Sequence, residues 1–211
     1  MIEFDALLLS LKLAGATSFI LLIVGLPLAY LVARSQTKWT SLLETFLLLP
    51  MVLPPSVLGF YLLIALSSIE WAFTFTGLVL GSVIYSFSFA FQSFVSGFQN
   101  IDSEFYEVSA SLGDSPAQTF FRVALPLSRN SIYTGLLLSF AHTLGEFGVI
   151  LMIGGNIRGQ TRTLSISIYD QVQSLDFKSA HHTSLFLLGF SFCILFLVNL
   201  LKRKSQKGLQ R

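Results

Sequence analysis

The stretch EVSASLGDSPAQTFFRVALP, Glu107 to Pro126, places Glu107, Asp114 and Arg122 in a chain that is otherwise mostly apolar, with long apolar runs on both sides. Its spacing predicts two short helices around a turn. Asp102 and Ser103 are N-cap types, and Glu104 stands where the positive end of a helix dipole favours an acid. Phe105, Val108 and Leu112 fall at i, i+3 and i+7 and give the first helix one apolar face. Gly113 supplies the permissive backbone of a helix C-terminus. The second helix restarts at once, because Ser115 and Gln118 have capping-box spacing and Pro116 takes the first helical position. Ala117, Phe120, Phe121 and Ala124 form its apolar face, and Pro126 is expected to break the chain toward the next apolar run. Helices that lie on anionic lipid are usually rich in Lys and Arg, whereas here Asp102, Glu104, Glu107 and Asp114 outnumber the arginines. The hairpin therefore reads as a surface for a protein partner.

Composition defines what surrounds it. Hydrophobic residues make up 53% of the 211 and charged residues 11%, and the mean hydropathy is +0.72. Those are the values of an integral membrane protein. A formal charge of +2 gives no argument for a nucleic-acid partner. The single cysteine, Cys193, lies in an apolar run, which excludes a disulfide framework and a paired-thiol metal site. Five runs approach the roughly 20 apolar residues that a spanning helix needs. They are Leu13 to Ala33, Thr45 to Leu66, Gly77 to Phe98, Ser131 to Ile153, and Thr183 to Leu201. Residues 1–211 read as a single transmembrane domain, with 102–126 a loop on one side and 154–182 a loop on the other. Arg34 and Lys38, Arg122 and Arg129, and the tail residues Lys202, Arg203, Lys204, Lys207 and Arg211 share one side, which the positive-inside rule makes cytoplasmic. The N-terminus is then outside and the C-terminus inside.

Polar residues within the spans are the next signal. Gly135, Ser139, His142 and Glu146 recur at 4,3,4 spacing in the fourth run, and Gly81, Tyr85, Ser88 and Gln92 do so in the third. These stripes line a conduit, or their small and polar members hold helices together. For Glu146 a role in a gate or pathway is expected, because an acid facing lipid costs several kcal/mol. In LLLPMVLPPSVLGF, Pro50, Pro54, Pro55 and Gly59 predict a broken second span, serving as a hinge or as a static kink. GGNIRGQT, Gly154 to Thr161, approaches a nucleotide-binding loop but has Gln160 in place of the phosphate-gripping lysine. ATP chemistry is thereby assigned to another subunit.

The hairpin resembles the EAA loop of the membrane subunits of ATP-binding-cassette importers. Glu107, Gly113, Leu125 and Pro126 fall on that pattern, while Val108 and Ser109 replace its two alanines. The GEFG of Gly145 to Gly148 is similar to an element of oxyanion-importer permeases. With Gly155, Asn156, Gly159, Thr161, Thr163, Leu164, Ile168 and Tyr169, the chain resembles the permeases of molybdate importers. The resemblance implies an all-α integral membrane protein of about five transmembrane helices with a cytoplasmic coupling-helix hairpin, the type I importer permease fold. It implies that Glu107, Ser109, Leu112, Gly113, Asp114, Ser115, Pro116 and Pro126 serve coupling to an ATPase. Tyr85, Ser88, Gln92, Ser139, His142, Gly145 and Glu146 would serve the pathway, and Asn156, Arg158, Thr161 and Arg162 the outer loop. Arg158 and Arg162 receive the anion by electrostatic steering, or are solvated surface charges.

The implied partners are a second copy of the chain, two ATPase subunits, an outer molybdate-binding protein and the lipid bilayer of a bacterial or archaeal cytoplasmic membrane. No cofactor is expected on this chain, ATP and Mg belonging to the ATPase, and no enzymatic activity of its own. A sulfate or thiosulfate permease shares the GEFG element. A proton-coupled carrier using Glu146 and His142 is the rival that leaves the hairpin unexplained.

Overall fold

The computed structural model describes residues 3–35 and 37–208, with side chains through residue 200. The basic tail from Lys202 to Arg211, expected as an orientation anchor, lies outside the described side chains. The first span combines α1 (Phe4–Ile20), a π turn (Leu21–Gly25) and α2 (Leu26–Arg34) into one apolar helix. It begins earlier than the apolar run predicts, and one of its early polar residues has a partner inside the bundle. Ser10 is buried, and its hydroxyl accepts the Leu164 amide at 2.8 Å.

The second span is broken, as its prolines predict. α3 (Lys38–Val52) and α4 (Pro55–Ser67) meet at 108°. Pro50 lies within α3 and does not interrupt it. The break falls at Leu53 and Pro54, both extended, because each precedes a proline ring that excludes the helical conformation. The third span is α5 (Phe75–Gln99), capped by the Thr74 hydroxyl.

The hairpin follows as α6 (Ser103–Ser111), and α7 (Pro116–Thr119) opens its second arm. This arm is not a separate helix. After a π turn at Phe120–Ala124 it runs into α8 (Leu125–Gly145), so one helix extends from Pro116 to Gly145. Pro126 was expected to break the chain and does not. In both spans that contain a π turn, the turn ends two residues before a proline, Pro27 or Pro126. A proline ring collides with the carbonyl four residues back, and widening the turn by one residue moves that carbonyl aside. Beyond Gly145 the helix stops, and α9 (Gly148–Gly154) leaves at 60°. The segment from 154 to 182, read from sequence as a loop, contains α10 (Leu164–Gln173), which buries Leu164, Ser165, Ile166, Ser167 and Gln171 in the bundle. α11 (Phe177–Gly208) is the last span.

α5 and α8 form the most extensive helix pair. Small residues let them approach: a Cβ on Gly97 would lie 2.5 Å from Ser131, and one on Gly135 would lie 2.7 Å from the Phe94 ring. Phe87, Phe91, Phe94 and Phe98 of α5 fill the end of the bundle nearer the hairpin, with Leu26, Ala29 and Val32 of α2. Leu13, Leu66, Leu78, Val149, Ile150, Ile153 and Ile166 fill the opposite end. Replacing Gly135 with leucine forces α5 and α8 apart, and overpacking of this kind costs about 1 to 3 kcal/mol. The expected outcome is a lower thermal midpoint of the detergent-solubilised protein, with Gly145→Leu, which meets nothing within 4 Å, as the benign control.

Candidate coupling surface and intramembrane site

The hairpin turn is built from its own side chains. Asp102 accepts the Glu104 amide and caps α6. At the other end Gly113 has φ +80°, while the Asp114 amide donates to the Ser109 carbonyl and the Gly113 amide to that of Ala110. This is a Schellman closure, which requires the left-handed residue that glycine supplies. Ser115 and Gln118 complete both halves of the capping box. Beneath the turn the buried Ser109 hydroxyl lies 2.9 Å from Asp114 Oδ2 and 2.9 Å from Thr119 Oγ1. Arg122 Nη1 closes on Asp114 Oδ1 at 2.9 Å.

The turn thus presents a fixed outer face. On it Phe105 is 53% exposed, Val108 59% and Leu112 78%, so the apolar stripe read from sequence points away from the bundle. Glu107, Ser115, Pro116 and Pro126 are also exposed. Sequence reading missed the inner face. Tyr106 is buried, its ring lies 4.0 Å under the Arg34 guanidinium, and burial pushes its phenol pKa up, with Tyr30 adding to the rise and Arg34 opposing it. The signal was present, since Tyr106 and Ser109 fall at i and i+3 opposite the exposed stripe.

In the membrane, the two polar stripes largely meet each other and other helices. The Ser88 hydroxyl donates to the Leu47 carbonyl of α3 at 3.1 Å, and that of Ser139 to the Leu136 carbonyl of its own helix. Gln92 and Gly145 are exposed. His142 is held by three residues of α5: Phe89 stacks on it at 4.0 Å, Tyr85 tilts against it at 4.9 Å, and Ser86 Oγ lies 3.0 Å from Nδ1. Ser86, which the sequence reading passed over, also reaches Thr143 Oγ1 at 2.9 Å.

Glu146 does not continue the α8 stripe. It sits in extended conformation (φ −65°, ψ 132°) just past the helix end and is buried, 5% exposed. Ser165 of α10 donates to its backbone carbonyl. Neither carboxylate oxygen has a partner of hydrogen-bond geometry among the described residues, and the buried Ser82 hydroxyl beside it is likewise unpaired. The break at Glu146 lies close to the break in the second span, since a Cβ on Gly148 would stand 2.8 Å from Pro55 Cβ.

The outer-loop residues gather into a clamp. Arg162 is buried, 6% exposed, so it is not a solvated charge. Its Nη1 donates to Glu3 at 3.0 and 3.2 Å, its Nη2 to Asp170 at 2.5 Å, and its Nε to Asn156 Oδ1 at 2.6 Å. Asn156 Nδ2 in turn donates to Asp170 at 2.8 Å. The buried Thr161 hydroxyl donates to the Gly154 carbonyl at 2.6 Å and accepts the Ile157 amide. Arg158 is exposed and, with Glu3, Asp5 and Gly159, lines a cleft of about 270 Å³. Arg162→Met strands two carboxylates that are each one-third exposed. The expected loss is about 2 to 3 kcal/mol, below that of a fully buried pair. Urea or thermal unfolding of the solubilised protein measures it, and Arg162→Lys recovers only part because it lacks the planar fork.

Comparison with known proteins agrees with this architecture. Residues 25–209 match the family described as "Binding-protein-dependent transport system inner membrane component". The molybdenum transport system permease protein ModB of Azotobacter vinelandii is 40% identical over 207 residues, covering 92% of each chain. A putative molybdenum transport system permease protein of Bacillus subtilis is 32% identical, again over 92% of each. Among solved structures, an inward-facing MetNI methionine ABC transporter superposes with a TM-score of 0.77 at 13% identity, over 97% of this chain and 96% of that one, a likeness of fold. Helical spans, a capped hairpin with an outward apolar face and these matches lead to one assignment: the chain belongs to the binding-protein-dependent transport system inner membrane components, the permease subunits of ABC importers, and is a transport subunit rather than an enzyme.

Proposed function

We propose that this chain forms the translocation pathway of an ATP-driven molybdate importer. The observation that carries the coupling half is the hairpin's exposed apolar face, since Phe105, Val108 and Leu112 are covered by none of the described residues. The substrate half rests on the two molybdenum permeases, which match the chain nearly end to end. In this reading two copies of the chain enclose one pathway, and two ATPase subunits bind the 102–126 hairpins on the cytoplasmic side. A molybdate-binding protein delivers the anion to the 154–182 face in the cytoplasmic (inner) membrane of a bacterium or archaeon, and the C-terminus is cytoplasmic. ATP and Mg belong to the ATPase.

Leu112 and its apolar neighbours enter the ATPase groove, and Glu107, Ser115 and Pro116 rim it. Ser109, Gly113 and Asp114 fix the turn, and Pro126 opens the membrane arm. When ATP draws the ATPases together, the hairpins follow, and the unbroken helix from Pro116 to Gly145 carries the displacement toward the two helix breaks. Tyr85, Ser88, Gln92, Ser139, His142, Gly145 and Glu146 respond as the α5–α8 pair and its hinge rearrange. Asn156, Thr161 and Arg162 hold the outer cap in shape, and the exposed Arg158 meets the delivery protein or the anion.

Gly113→Arg is a clean test of coupling. A Cβ at Gly113 meets nothing within 4 Å, so the new side chain projects into the ATPase interface rather than into this chain. The left-handed backbone adds roughly 1 to 2 kcal/mol of local strain. Labelled molybdate uptake into liposomes holding the permease, ATPase and binding protein is expected to need ATP and to vanish in Gly113→Arg, while Gly113→Ala keeps most of it. Excess tungstate should compete and excess sulfate should not; equal competition by sulfate moves the substrate to the sulfate class. Glu146→Gln should retain ATP-driven uptake, and uptake that collapses with the proton gradient instead returns the proton-coupled carrier.

A further inference from the structure

The hairpin has two physical routes into the membrane. One is covalent, through the helix that begins at Pro116, and it passes through the π turn at Phe120–Ala124, where the backbone ladder is widened and a helix bends most easily. The other is lateral. α6 buries two side chains, Tyr106 and Ser109, and the hydrogen bonds of Ser109 stay within the hairpin. Tyr106 is therefore the α6 side chain that enters the bundle, joining the buried cluster of Ala29, Val32 and Phe98.

Its contact is with the first span. The Arg34 guanidinium carbon stands 4.0 Å over the Tyr106 ring, and Arg34 is the last residue of α2 before the chain turns extended at Ser35. Beneath them Tyr30 of α2 packs edge-on against Phe98 of α5 at 5.4 Å and against Phe120 of the π turn at 5.0 Å. Three spans and the hairpin thus share one aromatic joint. The Tyr106 hydroxyl is buried with no hydrogen-bond partner among the described residues, so the ring face makes the contact.

We propose that Tyr106 is the positioning residue through which the hairpin moves the first span, its ring bearing on the Arg34 guanidinium. The proposal rests on the importer reading and adds to it the partition of the stroke. Displacement of the hairpin reaches the fourth span through the chain and the first span through this stack. Without the stack the ATPase turns over and the fourth span moves alone.

The test is the number of molybdate ions transported per ATP hydrolysed, measured in liposomes containing permease, ATPase and binding protein, with co-purification of the ATPase subunit as the check on docking. Tyr106→Ala and Arg34→Met are expected to keep the ATPase subunit and to lower the transport ratio at least about fivefold, the lower range of coupling between sites. Tyr106→Phe and Arg34→Lys, which keep a ring face and a cation, are expected to stay within about twofold of the parent on the same scale. An unchanged ratio in Tyr106→Ala overturns the proposal. So does an equal loss in Tyr106→Phe, which would give the role to the hydroxyl, or loss of the ATPase subunit, which would make Tyr106 part of docking. Should Tyr106→Ala fail to fold, the exposed Arg34 decides, and an unchanged ratio in Arg34→Met is then the contrary result. Absence of ATP-dependent uptake in the parent complex counts against the importer reading itself.

Discussion

No water reaches the hydrocarbon core of a bilayer, so each backbone amide and carbonyl there must find its partner within protein or beside a wet cavity. Much of what is irregular in this chain answers that demand at its prolines and glycines. At Pro27 and Pro126 a π turn lets the helix pass through, whereas Pro50 sits in α3 without one. Where two stand together, at Pro54 and Pro55, the helix gives way. The carbonyl exposed by the break at Glu146 is taken by Ser165 of α10, which explains why a short helix from the outer segment is tucked into the bundle.

The same demand governs the side chains. Ser86, Ser88, Ser139 and Thr143 are buried and each finds an oxygen or ring nitrogen on a neighbouring residue. Arg162 is drawn into the structure only because Glu3, Asp170 and Asn156 meet its fork. Glu146 differs, as a buried carboxyl with no partner of hydrogen-bond geometry among the described residues. It stands at the break between α8 and α9, next to the bend of the second span.

The hairpin was legible because capping is local chemistry: Asp102, Gly113, Ser115 and Gln118 each act within a few residues, and each does what its spacing implies. The broken second span was legible for the same reason. What the sequence hid lies across distance. Nothing near Glu3 announces Arg162, and nothing near Tyr106 announces Arg34. The third-span stripe and the fourth up to His142 lie on helices, while Glu146 falls past the end of α8, and periodicity in any case gives a face and not its occupant. Here packing of α5 with its neighbours covers most of both. Pro126 was misjudged because a proline alone does not say whether the ladder widens around it: Pro126 has a π turn before it, and Pro50 sits in a helix without one.

The contact between Gly148 and Pro55 has a consequence for how such a chain can change over evolutionary time. Each residue occupies the room the other leaves, across the junction of two separately broken spans. A side chain at 148 meets the Cβ at 55, which every residue but glycine carries, so room opens only if 55 loses its side chain altogether, and with it a proline that helps to set the bend. The two positions therefore form an epistatic pair, in which single steps are costly and the double step is less so. The shape of this junction is thus inherited as a unit, whatever drift occurs in the lipid-facing residues around it.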